Sequence, residues 1–188
     1  MYFYFLKDQI INGSCENEET FNWNSANGKF VLIHTLSPEE IAHQEERLTA
    51  FGYHFPTELK AFWQEIGCGY LSPNDCIDNG LEEPHTALDI YFHEGDWADI
   101  NLSCNIFAQN ELPFLIINNS NYITIGLEEG VNQGKIYYLG EEIAPNLTYF
   151  IQQILKDNIY YNKLLKYRFS YIFLYLKKER LHKSPLLL

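Results

Sequence analysis

Apolar positions recur along this chain with two different periods, and the changes between them divide it into elements. Residues 2–6 (Tyr-Phe-Tyr-Phe-Leu) and 30–35 (Phe-Val-Leu-Ile-His-Thr) are short runs of β-favouring residues and predict strands, with a polar loop between them. Ser37-Pro38-Glu39-Glu40 predicts a helix start. Ser37 can accept from the amide three residues on, Pro38 suits the first helical position, and Glu40 completes a capping box. That helix is expected to run to about Phe51, with Ile41, Leu48 and Phe51 inward and Gly52 as a left-handed C-terminal cap. After Phe55-Pro56, the spacing of Leu59, Phe62, Trp63 and Ile66 predicts a second helix whose apolar stripe is core.

Residues 72–84 are rich in turn formers and acids and read as a surface loop. His85 to His93 reads as a short helix or an extended element. Phe114–Ile117, Tyr122–Gly126 and Gly134–Leu139 read as three strands of an antiparallel meander. Asn118-Asn-Ser-Asn121 joins the first two, and a turn containing Glu128, Glu129 and Gly130 joins the last two. Pro145 is expected to open a further helix, on which Leu147, Phe150, Ile151, Ile154 and Leu155 give the strongest helical periodicity in the chain. The tail, about 161–182, reads as helical too, with an apolar stretch from Phe169 to Leu176 flanked by basic residues.

Charge adds an asymmetry to this picture. The 188 residues carry a net charge of −12, which argues against general binding to nucleic acid or anionic membrane, where Lys and Arg must neutralise phosphates. Residues 156–188 hold eight basic and two acidic groups, a net of +6, and residues 1–155 hold five basic and twenty-three acidic groups, a net of −18. A strongly acidic body suits a basic partner, or solubility alone. The basic tail can pack as a last helix on the body, form a homodimer or partner face, or touch a membrane. Aromatic residues, at 16%, supply both core and contact surface. No run approaches the roughly 20 apolar residues of a membrane span, and the short apolar N-terminus lacks the layout of a signal peptide, so a cytoplasmic location is expected.

Candidate chemistry is thin. Cys15, Cys68, Cys76 and Cys104 form no C-x-x-C pair, which predicts reduced, buried thiols and no metal. His93-Glu94-Gly95-Asp96 sets a His beside two acids, but lacks the second His of a metalloprotease helix. An enzyme built on His93, Asp96 and a Cys would need these to converge in one cleft. Gly67-Cys68-Gly69 is no phosphate loop, and there is neither a nucleophile elbow nor a dinucleotide fingerprint. No catalytic residue and no cofactor are expected. The candidates for partner contact are the loop acids Asp75, Asp78, Glu82 and Glu83, then Asp96, Trp97 and Asp99, then Glu128 and Glu129.

The order of elements resembles a known family. A capped helix leads into Phe55-Pro56-Thr57-Glu58-Leu59-Lys60-Ala61-Phe62-Trp63 and then Ile66-Gly67-Cys68-Gly69. Further on, Leu112-Pro113-Phe114, Gly134-Lys135-Ile136-Tyr137-Tyr138 and Ile143-Ala144-Pro145 through Phe150-Ile151 follow in turn. Together, over about residues 37–158, they resemble the SUKH superfamily, which includes the Smi/Knr-type cell-wall synthesis regulators. One departure is the Asn-rich hairpin, where many relatives carry acidic or Gly-rich turns. The resemblance implies an α+β fold, with a central, mostly antiparallel sheet flanked by helices. It would form a single domain over 1–158, with 159–188 as a basic amphipathic helical extension. It also implies a non-enzymatic immunity protein that neutralises a polymorphic toxin, often a nuclease. A regulatory or scaffold module of the cell-wall synthesis type is the alternative.

Overall fold

The computed structural model describes residues 2–13, 21–98, 108–118, 121–130 and 132–163. The chain divides into two compact units, 1–158 and 159–188, and the account below concerns the first. The expected tail helix falls almost wholly outside the described residues, as do Cys15, Cys104 and Asp99.

The fold is α+β. Eight strands form one sheet in the order of the sequence: β1 (Ile10–Asn12), β2 (Phe30–His34), β3 (Cys68–Leu71), β4 (Asn79–Leu81), β5 (Glu111–Ile117), β6 (Asn121–Gly126), β7 (Ile136–Tyr138) and β8 (Glu141–Ala144). Only β1 and β2 run parallel; every other pair is antiparallel. Among the described residues, four α-helices accompany the sheet: α1 (Pro38–Thr49), α2 (Thr57–Glu65), α3 (Pro84–Phe92) and α4 (Leu147–Lys156).

Residues directly opposite one another in a sheet share a face, so the registers sort the side chains. Leu32, Gly69, Leu81, Leu115 and Ile123 form one row across five strands. Phe30 pairs with Leu71 on the same side, and there Phe62 of α2 meets the Phe30 ring edge-on at 5.5 Å. Phe150 of α4 meets Phe114 at 6.1 Å. This is the main core, in which Phe30, Leu59, Phe62, Trp63, Leu71, Leu115, Phe150 and Ile151 are all fully buried. Glu58 ties α2 to α4 by accepting from the Thr148 amide and hydroxyl at 2.8 and 3.0 Å. The same carboxylate thereby satisfies an orphan amide in the first turn of α4.

The expected capping box is present. The Glu40 amide donates to Ser37 Oγ at 3.2 Å, and the Ser37 amide donates to Glu40 Oε2 at 2.7 Å. Phe51, expected to face inward, is instead 64% exposed and lies against Phe92 at 5.0 Å. It falls beyond the end of α1, where the helical stripe no longer dictates direction.

Other boundaries differ for physical reasons. The N-terminal run makes a 3₁₀ turn over Tyr4–Gln9 rather than a strand, because Phe3 and Leu6, three residues apart, are the two that bury. Strands β1, β3, β4 and β8 were not expected. Around β3, Gly67 and Gly69 replace the usual alternation: at φ +120° and +153°, a Cβ would meet His34 O at 2.2 Å and Val31 O at 2.0 Å. The backbones of β2 and β3 approach too closely there for any side chain. Strand β8 hides behind a two-residue turn, Leu139-Gly140, at φ +52° and +75°. Such a turn ordinarily announces itself as Asn-Gly. The last helix starts after Asn146, whose side chain accepts from the Tyr149 amide, rather than at Pro145.

Candidate functional site

The opposite face of the sheet carries a second row: Val31, Tyr70, Gly80, Ile116 and Tyr122. Its β5–β6 end is covered. Ile90 of α3 packs on Ile116 and Tyr122, and Trp97, in the 3₁₀ turn Gly95–Trp97, meets the Tyr122 ring at 6.2 Å. Toward β2–β4, Val31 is fully buried and the half-buried Tyr70 stands between two hollows.

The first hollow has a volume of about 350 Å³ and is lined by Trp23, Tyr70, Pro73, Asn74, Asp75, Ile77 and Asp78. Trp23 meets Tyr70 edge-on at 5.5 Å. Asn24 donates its amide to Asp75, joining the Trp23 turn to the β3–β4 connection. Asn74 Oδ1 accepts the amides of Cys76 and Ile77, each at 2.9 Å, and holds that connection in shape. Asp78 and Asn118 exchange two bonds between the β3–β4 and β5–β6 turns, at 2.9 and 2.8 Å.

The second hollow, about 270 Å³, lies at the foot of α3, with Ile33, His34, Tyr70, Gly80, Glu82, Glu83 and Thr86 among its lining residues. The Glu82 carboxyl is strongly perturbed: desolvation raises it to about 7, helped by the nearby charges of Glu83 and Asp78. Burial likewise raises the Tyr122 hydroxyl to about 12, with Glu82 contributing. Among the described residues, neither hollow is lined by a lysine or an arginine.

The sequence candidates therefore separate. Asp75, Asp78, Glu82 and Glu83 gather around Tyr70, and Trp97 joins them through Tyr122. Asp96 is exposed beside Trp97. Glu128 and Glu129 do not join: they lie in the β6–β7 turn, at the other end of β6 from Asn118 and Asp78. Six strand residues at about 3.3 Å each put roughly 17 Å between those ends. Glu128 is engaged locally, accepting from Asn110 at 3.0 Å. Asp99 lies outside the described residues. Sequence reasoning missed Trp23, Tyr70 and Tyr122; Tyr70 lay hidden because β3 itself was not foreseen.

The residues of the enzyme alternative do not meet among those described. His93, held left-handed at φ +57° as the cap of α3, lines a separate hollow with Phe51, Tyr53 and Phe92, whereas Cys68 lines the hollow at the foot of α3. Burial pushes the Cys68 thiol up to about 11, with Glu83 and Glu82 adding to the effect, which removes the thiolate a nucleophile needs. Among the described residues no group of three His, Cys, Asp or Glu could hold a metal ion. No described helix is long and apolar enough to cross a membrane.

Comparison with known proteins gives two matches. The model of the SMI1 / KNR4 family (SUKH-1) matches residues 35–153. The chain is also similar to the immunity protein YxxD of Bacillus subtilis (strain 168), at 27% identity over 136 residues, covering 71% of this chain and 89% of that protein. No solved structure matches it.

Proposed function

The chain belongs to the SMI1 / KNR4 family (SUKH-1), and from that premise we propose that it is an immunity protein that neutralises a toxin by binding it. Its similarity to an immunity protein over most of both chains supports a toxin-immunity role. The partner in this reading is a basic toxin domain, of the nuclease kind, whose nucleic-acid-binding surface is rich in Lys and Arg. The protein acts in the cytoplasm, occluding that surface rather than altering it chemically.

The observation that carries the reading is the pair of hollows beside Tyr70. Asp75, Asp78, Glu82 and Glu83 border two hollows whose described lining contains aromatic rings and no lysine or arginine. Complementary charge speeds encounter, and the rings of Trp23 and Tyr70 supply area that can be desolvated on contact. The −18 net charge of residues 1–155 extends the attraction beyond contact range at low salt.

The test is co-expression of this chain with each toxin domain encoded by its host, scored by growth, followed by binding of the purified pair at low and moderate salt. Rescue from one basic toxin, with association slowed by salt, is the expected result. If every host toxin kills regardless of the chain, and immobilised protein retains cell-wall synthesis components instead, the immunity reading is wrong.

A further inference from the structure

Glu82 is anchored in a way that leaves only its side chain to act. Its amide donates to Phe114 O at 2.9 Å, and its carbonyl accepts from the indole N–H of the fully buried Trp63 at 2.9 Å. The carboxyl therefore leaves a fixed stem and lines the hollow at the foot of α3. Gly69 and Gly80 contribute no side chains to the space. A Cβ at Gly80 would sit 3.4 Å from Glu82 Oε1 and 3.6 Å from Tyr70 Cε1, so carboxylate and ring flank the same spot. Among the described residues, the charges acting on Glu82 come from Glu83 and Asp78, both of its own sign. A largely desolvated carboxylate beside like charge is a costly arrangement for a fold to keep.

We propose that this hollow receives one guanidinium side chain from the partner, with the Glu82 carboxylate as its counter-charge and the Tyr70 ring as its flat wall. That the guanidinium comes from a toxin rests on the immunity reading; the chemistry of the hollow does not. An arginine suits the site better than a lysine. The lining is part apolar (Ile33, Leu81) and part aromatic, and a guanidinium is more weakly hydrated than an ammonium and stacks on rings.

The occupant displaces a proton. With the empty site titrating at about 7, about nine-tenths of Glu82 is protonated at pH 6 and about nine-tenths is ionised at pH 8. Only the ionised form holds a cation, so affinity rises roughly tenfold between pH 6 and pH 8. The other groups around Glu82 are Glu83 and Asp78, Tyr122 and Cys68, raised to about 12 and about 11, the Tyr70 hydroxyl, and His34. An imidazole that gains a proton on acidification also repels a cation, so His34 needs its own control.

The experiment titrates the whole chain with N-acetyl-arginine amide at pH 6 and pH 8, following the backbone amide resonances of Gly69, Gly80 and Glu82. The expected result is saturable shifts at these amides, about tenfold tighter at pH 8. They are absent with the neutral isostere N-acetyl-citrulline amide, lost in Glu82→Gln and kept, with the same pH dependence, in His34→Gln. Shifts of equal size at Glu128 and Glu129, or binding unchanged in Glu82→Gln, overturn the proposal. A pH dependence that vanishes in His34→Gln overturns it as well. Toxin rescue by the wild-type chain is scored separately: its failure removes the toxin and leaves the cation site, whereas a silent titration alongside rescue removes the site and leaves the toxin.

Discussion

Replacing Glu82 by Gln should stabilise this protein, and by an amount that grows with pH. Moving a carboxyl's midpoint from 4.5 to about 7 means that the fold disfavours the ionised form by about 3 kcal/mol, at about 1.4 kcal/mol per tenfold step. Below pH 4.5 the folded and unfolded chains both hold the proton, and the penalty is absent. Between 4.5 and 7 the unfolded chain releases it first, so stability falls as pH rises; above about 7 the whole penalty applies. The neutral, isosteric amide escapes it. The gain for Glu82→Gln is then about 1.4 kcal/mol at pH 5.5 and about 3 kcal/mol at pH 8, the latter raising Tm by roughly 6–12 °C in a chain of this size. Urea unfolding at the two pH values, followed through tryptophan fluorescence, measures it. A gain that does not change with pH, or a loss at pH 8, would show that Glu82 is solvated in the folded protein and refute the reasoning. Should the variant also lose cation binding, the residue trades stability for recognition.

Three further substitutions probe the scaffold. Ser37→Ala removes one arm of the capping box and should cost about 1 kcal/mol in urea unfolding. Gly69→Ala would drive a methyl to 2.0 Å from Val31 O at φ +153°; the β2–β3 pair should separate, with loss of cooperative thermal unfolding by circular dichroism. Leu139→Asn should relieve a side chain held at φ +52° in the β7–β8 turn and raise Tm by roughly 2–4 °C, equivalent to about 1 kcal/mol; a lower Tm would mean that Leu139 makes a packing contact worth more than the strain.

The helices were legible in the sequence because their signals are local. Ser37, Pro38 and Glu40 encode a cap within four residues, and Leu147, Phe150, Ile151 and Ile154 encode a face within eight. The longer strands β5 and β6 were legible for the same reason. Strands β1, β3, β4 and β8 were not, since three or four residues give no period to read, and the glycines around β3 are explained only across the sheet, by the backbone at Val31 and His34 more than thirty residues earlier in the chain. The candidate site was half legible. Asp75, Asp78, Glu82 and Glu83 stood out as loop acids, but composition cannot distinguish them from Glu128 and Glu129. What separates the two groups is strand register, which brings the first set to Tyr70 and leaves the second at the far end of β6. The special status of Glu82 among the acids depends on burial beside Gly80, and burial is not written in any single position.

The strand order has a consequence for how the molecule is made. Each strand pairs with the one synthesised just before it, so a nascent chain leaving the ribosome can extend the sheet one strand at a time, at about 5–20 residues per second. At every stage the growing sheet offers a single fresh edge, and the next strand to emerge is the one that fits it. A sticky edge in the crowded cell invites the wrong neighbour; here the right neighbour is the next strand on the same chain and arrives within seconds.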